Sequence, residues 1–568
     1  MKKSSIIKLS TLGAILILLV IAYVIIAINI YSSDGTQNLP QIEEGEGIYI
    51  GENITLYPEI DKNNIVSIYV KNQKDEYRFY LQEQDGESKM VIEGHEKLTY
   101  QMEVYAYLLS YTRLPVVPKG TNIFRDVDEN RMVNYGLTEE TCQAKFTITY
   151  KDGDKEGSHT VLIGNQIMSS QSLYYARVVG RDSVYTLNGA GVEKAILMPL
   201  TEYVTPAVLK HYDDTTAAFA DIKNFGVFLT SDLGQTLKSL VLLNQVKEGE
   251  NVYYDLTCAP LNGQAVLSDS AYVDTVFGQL FVSFAGDRVM EILYSSASEE
   301  EVNKSLEKYG LGSGQECYFV RALTDEGTTL GNFISKETTN ENGKRVRYVL
   351  AYYYEEPTIV EVSAEYFEFL GEDNETYLKW IQKSFIQAGF GEFLSAQETG
   401  SSGIKTLEIK TQVGGRVQSC KFTVEGTSGN ALTIRSEDGS LVFKTSNNTT
   451  TYIEPFTNMY MLILSLPRIS GFTELTSEEK AEIMVESKLV YSLDIETRNG
   501  TVYSYKYYAK NSSFALAEVK EGKRTENGIE YTLNQTIFEV KSRHLYYIDE
   551  AFAKLLQNQD FNYTDYVG

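Results

Sequence analysis

The chain has 568 residues and a formal net charge of −26, and 43 % of its residues are hydrophobic. This length predicts about three or four domains, and the hydrophobic fraction is ordinary for proteins with buried cores. The acidic balance argues against nucleic-acid binding, which needs clustered Lys and Arg, and a negative surface is also repelled by anionic lipid head groups.

The first predicted element is a membrane anchor. Residues 9–30 carry no charge, and as a helix this run is about 33 Å long, enough to cross a bilayer core of about 30 Å. Lysines precede it and acidic residues follow it, so the positive-inside rule places residues 1–8 in the cytoplasm and the bulk of the chain outside. We therefore predict a single-pass protein of the cell membrane, with a transmembrane helix at 9–30 and an acidic spacer at 31–64. A cleaved secretory signal is the alternative.

Three stretches with the same pattern then mark a repeat. IVSIYV begins at 65, LKSLVL at 237 and IKTLEI at 404, and each is followed by a second short strand pattern, so each start predicts a hairpin. Starts at nearly regular spacing indicate tandem copies of one unit. We predict three modules, at 65–210, 225–396 and 404–568, separated by polar or Gly-rich linkers at 211–224 and 397–403.

Each module contains the same succession of elements. After the hairpin comes a stretch with apolar residues at helical spacing, at 98–114, 270–286 and 454–467. The tripeptide YGL follows in the first two copies, and Gly471-Phe472 is its degenerate counterpart in the third. Gly136 and Gly310 are predicted to turn the chain with a positive φ between the helix and a set of strands, which a short amphipathic stretch closes. The predicted fold class is therefore α+β, with an N-terminal transmembrane helix and three tandem mixed α/β modules.

This order of elements resembles the bacterial family numbered 4340 among the domains of unknown function. The resemblance is best over 65–210, where Gly136, Gly164, Tyr175 and Val184-Tyr185 fit the family's pattern, whereas the second and third copies lack its LIGN strand end. Members typically carry one N-terminal membrane helix and are often associated with ABC-type exporters of the gliding-motility kind. The resemblance therefore implies an ABC-type permease and its auxiliary subunit as protein partners. The family carries no established catalytic residues, so it implies none here.

Residue types that carry catalysis or bind metals are scattered along the chain. No C-x-x-C or H-E-x-x-H occurs, so neither a metal site nor a cofactor is predicted. Two acidic clusters, at 126–129 and 152–156, are interpreted as solvated turns, with calcium binding as the alternative. Ser402 and Lys405 have the spacing of S-x-x-K but lie at a predicted linker. We predict that the protein is not an enzyme and has no catalytic residues.

The four cysteines lie far apart in a chain that is predicted to be exported. An exported chain of this size with so few cysteines is not a disulfide scaffold. We expect mostly buried, unpaired thiols, and a single long-range disulfide stays open as the alternative. The four residues are Cys142, Cys258, Cys317 and Cys420.

Tyrosine is abundant, at 42 of 568 residues, which favours a sheet-rich protein. Adjacent strand residues face opposite sides, so each run of neighbouring tyrosines is expected to place at least one ring on an outer face, where it could bind glycan or protein. Rings that cover sheet edges and seams between modules are the alternative. The candidate surface consists of Tyr174, Tyr175, Tyr253, Tyr254, Tyr352, Tyr353, Tyr354, Tyr507 and Tyr508.

The anchor, the repeat and the resemblance together favour an extracytoplasmic, membrane-anchored accessory or scaffold protein, a non-catalytic partner of an ABC-type transport or envelope complex. A cell-wall or glycan-binding surface module that uses exposed tyrosines is the alternative. A wall hydrolase is the third interpretation, because the two carboxylates of such an enzyme are paired in space and not in sequence.

Overall fold

The computed structural model describes residues 41–567 except for 51–52, 85–86, 118–122, 169–172, 249–250, 264, 294–296, 353–355, 382–402, 427–431, 445–453, 466–468 and 527–528. The predicted transmembrane helix at 9–30 and residues 397–402 of the predicted linker at 397–403 lie outside the described residues. The chain divides into two compact units, Met1–Val204 and Thr205–Gly568. Several sheets with more strand than helix make up the described chain, which confirms the mixed α/β part of the predicted fold class.

The first unit is built on a seven-stranded antiparallel sheet, preceded by the two-stranded sheet β1 (Tyr49–Ile50) and β2 (Asn53–Ile54). Its strands are β3 (Ile65–Asn72), β4 (Glu76–Gln84), β5 (Glu87–Ile92), β6 (Ala144–Asp152), β7 (Lys155–Gln166), β8 (Leu173–Val178) and β9 (Tyr185–Asn188). Their order across the sheet is β5-β4-β3-β6-β7-β8-β9. The helices are α1 (Met102–Arg113), α2 (Glu129–Asn134) and α3 (Gly189–Ala195). Helices α1 and α3 pack on each other.

The second unit begins with helix α4 (Thr215–Asp221) and a sheet in the order β13-β12-β11-β10-β15-β16-β18-β19-β14, with β17 beside β18. These strands are β10 (Ile222–Thr230), β11 (Lys238–Glu248), β12 (Asn251–Cys258), β13 (Val266–Leu267), β14 (Arg288–Ile292), β15 (Cys317–Thr324), β16 (Thr329–Ile334), β17 (Thr338–Thr339), β18 (Arg345–Ala351) and β19 (Thr358–Ser363). The accompanying helices are α5 (Ser270–Phe277), which continues as the π-helix Gly278–Val282, α6 (Glu299–Lys308) and α7 (Asn374–Trp380).

A further sheet of the second unit has the order β23-β22-β21-β20-β25-β26-β27-β28-β24. Its strands are β20 (Ile404–Val413), β21 (Arg416–Glu425), β22 (Thr433–Ser436), β23 (Val442–Lys444), β24 (Gly471–Phe472), β25 (Leu489–Thr497), β26 (Val502–Ala509), β27 (Phe514–Glu526) and β28 (Ile529–Lys541). Its helices are α8 (Glu454–Ser465), α9 (Ser477–Ile483) and α10 (Ser542–Leu556). Helix α10 packs on α8 and on the central strand β20.

The three large sheets share one order of strands. In each, the first strand lies at the centre, between its hairpin partner and the first strand of a four-stranded meander. These central strands are β3, β10 and β20. The far edge is closed by a short segment that precedes a helix: β14 pairs with β19, β24 pairs with β28, and the bridge Phe124–Val184 takes this place in the first sheet.

The observed copies start at other positions than the predicted regular spacing. LKSLVL forms β11, the second strand of its sheet, and the central strand β10 begins at Ile222, inside the predicted linker 211–224. The rest of that linker is also folded, because Ala218 of α4 is fully buried and the Phe219 ring lies 5.1 Å from the ring of Phe277. Prediction failed here because HYDDTTAAFADIKN is polar on average, while Ala218 and Ile222 are buried and the rings of Tyr212 and Phe219 are half-buried.

The YGL tripeptide ends a helix that was not predicted from the sequence. Helices α2 and α6 both stop at the tyrosine, and the glycine has a φ of 70° in Gly136 and 72° in Gly310, the left-handed conformation expected from the sequence. The amide of Leu137 donates to the Met132 carbonyl at 2.8 Å, and the equivalent bond at α6 is 2.9 Å. This is the Schellman arrangement, in which the leucine after the glycine packs back on the last turn.

The tyrosine of YGL also has the same partner type in both copies. The rings of Tyr135 and Tyr175 lie 4.5 Å apart, and those of Tyr309 and Tyr348 lie 5.0 Å apart. Both partners stand on the third strand of the meander, β8 or β18. YGL is therefore a helix stop that also attaches the helix to its sheet.

The third copy lacks this stop, and its predicted counterpart is wrong. Gly471 and Phe472 form the edge strand β24, and the helix that corresponds to α2 and α6 is α9, which comes afterwards. Helix α9 is followed by Met484, which has a φ of −80°, and the next residue is not a glycine. Since a glycine beside an aromatic residue is common, the short match at 471–472 carried too little information to place the helix end.

Gly310→Ala tests the helix stop in the second unit. A Cβ at this position meets only the Ser335 Cβ at 3.6 Å, an ordinary contact, so the cost comes from the left-handed backbone alone. We expect a loss of about 1–2 kcal/mol in the free energy of unfolding, and a smaller loss for Gly310→Asn, because asparagine tolerates this conformation better. Urea unfolding of the purified chain, followed by the fluorescence of its single tryptophan Trp380, measures both. Equal losses for the two variants would contradict this explanation.

The predicted acidic spacer at 31–64 is wrong from Glu43 onwards. The side chains of Ile54, Leu56, Tyr57 and Ile60 are buried in the first unit. The Tyr57 ring stacks on His159 with ring centres 4.4 Å apart, and its hydroxyl donates to the Thr112 carbonyl at 2.5 Å. The apolar side chains that are spaced among acidic ones in this segment therefore hold it against the first unit.

Two acidic residues of the same segment pair with side chains of the first unit. We call this group the Glu46 cluster; it consists of Glu43, Glu46, Arg125, Ser183 and Tyr185. Arg125 donates to the two Glu46 oxygens at 2.5 and 3.1 Å, and the Tyr185 hydroxyl donates to Glu46 at 2.6 Å. Ser183 donates to Glu43 at 2.7 Å. Burial raises the pKa of Glu46, but hydrogen bonds from Arg125, Tyr185 and the Glu43 amide outweigh it, and the net pKa lies below its ordinary value. The acidic segment is held by charge pairing and not by solvation.

Candidate functional site: an apolar pocket beside the second YGL helix

The middle strands of the first sheet of the second unit are buried on both faces. In β18, Val349 borders a small cavity together with Leu280 of the π-helix, and its neighbour Leu350 belongs to a cluster with Leu306 of α6. Adjacent strand residues face opposite sides, so the π-helix and α6 cover opposite faces of the sheet. The cavity on the π-helix side has a volume of about 10 Å³, enough for a single water.

The α6 side contains a much larger apolar pocket, with a volume of about 330 Å³. Ligand pockets start at about 300 Å³. One wall comes from α6 and the residue before its cap: Ala297, Val302 and Leu306. The floor comes from the sheet, where Phe333 of β16 and Leu350 of β18 contribute their side chains.

Three loops complete the pocket. Leu293 follows β14, Pro357 precedes β19, and the two are joined by a hydrogen bond from the Leu293 amide to the Pro357 carbonyl at 2.9 Å. Leu233 comes from the turn between β10 and β11, and Tyr352 follows β18. The Tyr352 hydroxyl is the single polar side-chain group among the lining residues that the structure describes. Burial raises the pKa of Tyr352 above its ordinary value, so the hydroxyl is neutral at physiological pH.

The turn that carries Leu233 holds it in an unfavourable backbone conformation. Leu233 has a φ of 51°, in the left-handed region that side chains other than Gly and Asn rarely adopt. Side-chain hydrogen bonds within the turn enforce it, since the Gly234 amide donates to the Thr230 hydroxyl at 3.0 Å and the Thr236 amide to Asp232 at 2.8 Å. Strained residues of this kind cluster at binding sites.

The helix that forms one wall of the pocket begins with an acidic turn, which we call the rim. Helix α6 starts with Glu299, Glu300 and Glu301, all exposed, directly after the lining residue Ala297 and the cap Ser298. Glu301 accepts hydrogen bonds from the amide and hydroxyl of Ser298, which holds its pKa below the ordinary value. The partial positive charge of the helix start, about half an elementary charge, offsets only part of these three carboxylates.

The tyrosine surface predicted from the sequence is reduced to one exposed residue in the described chain. Tyr352 is 48 % exposed, Tyr175 is half-buried, and the structure does not describe Tyr353 and Tyr354. The other five rings are buried: Tyr174, Tyr253, Tyr254, Tyr507 and Tyr508.

The expectation that each run exposes a ring is therefore wrong for two runs. Tyr254 faces α5 and donates to the Ile222 carbonyl at 2.7 Å, while its neighbour Tyr253 packs into a second cluster with Val246 and Leu267. In β26 the Tyr507 ring stacks on Tyr491 at 5.3 Å, and its neighbour is buried as well. Alternation predicts opposite faces correctly, but it cannot show that both faces are covered.

The cysteines, the candidate metal ligands and Gly164 do not line the pocket. All four cysteines are free thiols in the structure; Cys258 and Cys317 are buried as expected, whereas Cys142 and Cys420 are only half-buried. Within the described residues, no group of three or more His, Cys, Asp or Glu side chains is arranged to hold a metal ion. No helix in the described part of the chain is long and apolar enough to cross a membrane. Gly164, one of the residues that carry the family resemblance, lies against the Tyr135 carbonyl at the end of α2.

Sequence reasoning missed the pocket almost completely. Tyr352 was among the candidate residues, but Leu233, Leu293 and Val302 were not. The one available signal was the turn SDLGQT at 231–236, where an isolated leucine next to a glycine stands between two strands. A leucine in a polar turn is either exposed or packed against something outside its own hairpin, and the sequence cannot distinguish these two.

Leu233→Gly separates a pocket wall from a core residue. Glycine adopts the left-handed conformation freely, which recovers about 1–2 kcal/mol and compensates for the lost apolar contacts. We expect the free energy of unfolding to change by less than about 1 kcal/mol, whereas Leu306→Ala, at a site that is 2 % exposed, should lose about 3 kcal/mol. Urea unfolding followed by Trp380 fluorescence compares the two. A loss for Leu233→Gly as large as that for Leu306→Ala would make Leu233 an ordinary core residue.

Comparison with known proteins adds no relative. The sequence matches no protein-family model, and neither the curated proteins nor the solved structures give a match. The family membership suggested by residues 65–210 therefore stays a prediction, and the function of the pocket has to be argued from its own chemistry.

Proposed function

We propose that this protein is an extracytoplasmic, membrane-anchored accessory subunit of three tandem modules, which binds a protein partner and does not act as an enzyme. The observation that carries the binding function is the pocket of about 330 Å³ beside α6. Its wall includes the strained Leu233 and the exposed ring of Tyr352. Apolar surface that lines an open pocket of this size is typical of interaction sites, which favours a bound partner.

The anchor follows from the uncharged run at 9–30 and the lysines before it. Because residues from Glu43 onwards pack on the first unit, the connection between the span and the folded chain is residues 31–42. Fully extended, this connection reaches about 40 Å. The first unit would accordingly work close to the outer face of the membrane, within reach of the exposed parts of a membrane protein.

The resemblance over 65–210 directs the choice of partner to an ABC-type permease or its auxiliary subunit. The glycan-binding alternative depended on several exposed tyrosine rings, and five of the seven rings that the structure describes are buried. A glycan platform needs aromatic faces open to solvent, so the burial weighs against that alternative. The protein partner is the better supported of the two.

Site-specific crosslinking in cells tests this function. A photoreactive benzoylphenylalanine is placed at Tyr352 in the full-length protein, and at Tyr107 of the first unit as a control with the same exposed fraction, 48 %. Crosslinked products are purified and identified by mass spectrometry. The expected result is an ABC-type permease or its auxiliary protein, enriched at Tyr352 over Tyr107.

Other products of the same experiment would reject the proposal. Crosslinks to wall polymer at Tyr352 would establish the glycan-binding alternative. Crosslinks that are identical at both positions, or only to the protein itself, would remove the pocket as a partner site. A separate activity assay tests the third interpretation: turnover of purified wall fragments by the full chain would support a hydrolase.

A further inference from the structure

The pocket and its rim together specify what the partner must present. We infer that the pocket binds a segment of a partner protein in which one bulky apolar side chain stands next to a lysine or arginine. The inference rests on the proposed binding function of the same pocket. It adds the chemistry of the bound segment, which neither the anchor nor the repeat indicates.

The interior selects an apolar group. Nine described residues line it, and all of them are aliphatic or aromatic apart from the single hydroxyl of Tyr352. An apolar cavity of about 150 Å³ is enough to hold benzene, so a volume of about 330 Å³ accommodates an indole or two branched side chains. Full burial of one such side chain strengthens binding by about tenfold to a hundredfold.

The rim selects a positive charge beside that group. Glu299 and Glu300 are exposed in the first turn of α6, between the lining residues Ala297 and Val302. Of the lysines on the same helix, Lys308 lies 3.8 Å from Glu291, and Lys304 stands one turn further along than Glu300. Among the charged side chains of α6, the carboxylates therefore outnumber the cations in the turn between Ala297 and Val302. The half-exposed face of Tyr352 also suits an ammonium or guanidinium group, which is attracted to aromatic faces.

The same charges disfavour the obvious competitors. An anionic lipid or a fatty acid would bring a negative head group to an acidic rim on a chain with a net charge of −26. A neutral acyl chain would fill the interior and leave the rim carboxylates unused. A peptide with an apolar anchor and an adjacent basic residue satisfies both parts of the site.

Peptide titration of the full-length chain in phosphatidylcholine nanodiscs tests the inference, with empty nanodiscs as the blank. The probes are acetyl-Lys-Trp-Leu-Lys-amide, acetyl-Glu-Trp-Leu-Glu-amide and acetyl-Lys-Ser-Ser-Lys-amide, and affinities are measured by calorimetry. Ala297→Phe fills the pocket from a half-buried position, and Glu299→Lys with Glu300→Lys reverses the rim charge. The matched control reverses two exposed carboxylates elsewhere in the second unit, Glu326→Lys with Glu482→Lys.

The expected result is that the Lys-Trp-Leu-Lys peptide binds about tenfold more tightly than either of the other two. Its affinity should fall for Ala297→Phe and for the rim reversal, and stay unchanged for the control reversal. Equal binding of both Trp-Leu peptides would overturn the charge requirement and leave the apolar binding function standing. Dodecanol is titrated as a fourth probe, and its binding above the empty-nanodisc blank, without binding of any peptide, would make the pocket a lipid site. Binding of none of these probes would overturn both this inference and the proposed function of the pocket.

Discussion

Arg125→Met should lower the free energy of unfolding of the first unit by about 3–5 kcal/mol, because it leaves the buried carboxylate of Glu46 without its counter-ion. The Glu46 side chain has no exposed surface, and Arg125 donates to both of its oxygens. The chain has one tryptophan, Trp380, and it lies in the second unit. Hydrogen exchange of peptides from β6 and β7 therefore measures the first unit, while Trp380 fluorescence serves as an internal reference that should not change.

A second variant distinguishes charge burial from lost packing. Arg125→Met combined with Glu46→Leu removes both charges, and we expect it to regain most of the stability, since a buried ion pair contributes little net stability over an apolar pair. A double variant as unstable as Arg125→Met alone would show that packing of the Arg125 stem, and not the unpaired carboxylate, is the cause.

The same cluster has a defined pH dependence. The pKa of Glu46 is below its ordinary value of 4.5 in the folded protein, so its contribution to stability is present above pH 4.5 and is lost as the pH falls through the folded pKa. In Arg125→Met the arginine no longer lowers the pKa of Glu46 while burial still raises it, so Glu46 takes up a proton at a higher pH than in the unchanged protein and its buried charge is removed sooner on acidification. We expect the stability difference between the two proteins to narrow as the pH falls below 4.5. A difference independent of pH would exclude Glu46 as its source.

Gly164→Ala should destabilise the first unit by about 3 kcal/mol. A Cβ built on Gly164 lies 2.2 Å from the Tyr135 carbonyl oxygen and 2.9 Å from Leu137 Cδ2. The first of these is backbone and is already held, since the Asn165 amide donates to the same carbonyl at 2.8 Å. Strand β7 and the end of α2 would have to separate. Hydrogen exchange in α2 and β7 is the measurement, because the opening should be local to these two elements.

Gly471→Ala is the matched control for this variant. It also changes a glycine at a strand position, but its Cβ meets only the Glu539 Oε2 at 3.9 Å, which is the flexible end of a side chain. We expect a change within about 0.5 kcal/mol. If Gly164→Ala proved equally mild, the close approach of β7 to the helix end would not be what requires glycine there.

Local patterns in this chain were sufficient for several features of the fold. Alternating apolar residues located most strands, helical spacing located α1, α5 and α8, and the glycine of YGL predicted a left-handed residue. The regular spacing of the copies gave a wrong start for the second module, because the first strand of its sheet begins at Ile222, in a segment that is polar on average. Burial depends on the few apolar residues of such a segment, and composition averages over them.

The residues of the candidate site were harder still to predict from local sequence. Tyr352 stood out in the sequence for belonging to a run of tyrosines, yet the runs Tyr253-Tyr254 and Tyr507-Tyr508, which look alike, are buried. Whether a strand residue is exposed depends on what covers its face, and that covering comes from other elements, such as Phe277 of α5 for Tyr254 and Tyr491 of β25 for Tyr507. Leu233 lines the pocket only because a turn holds it in the left-handed region and points it toward α6.

The sequence by itself determined the type of most strands and of helices α1, α5 and α8, and the left-handed glycine of YGL, because these depend on a residue and its near neighbours. The tertiary structure decided the repeated order of strands, the packing of residues 43–60 on the first unit, and the apolar pocket with its acidic rim. Each of these brings together side chains from segments far apart in the chain, and their contact energies have no counterpart in any short stretch of sequence.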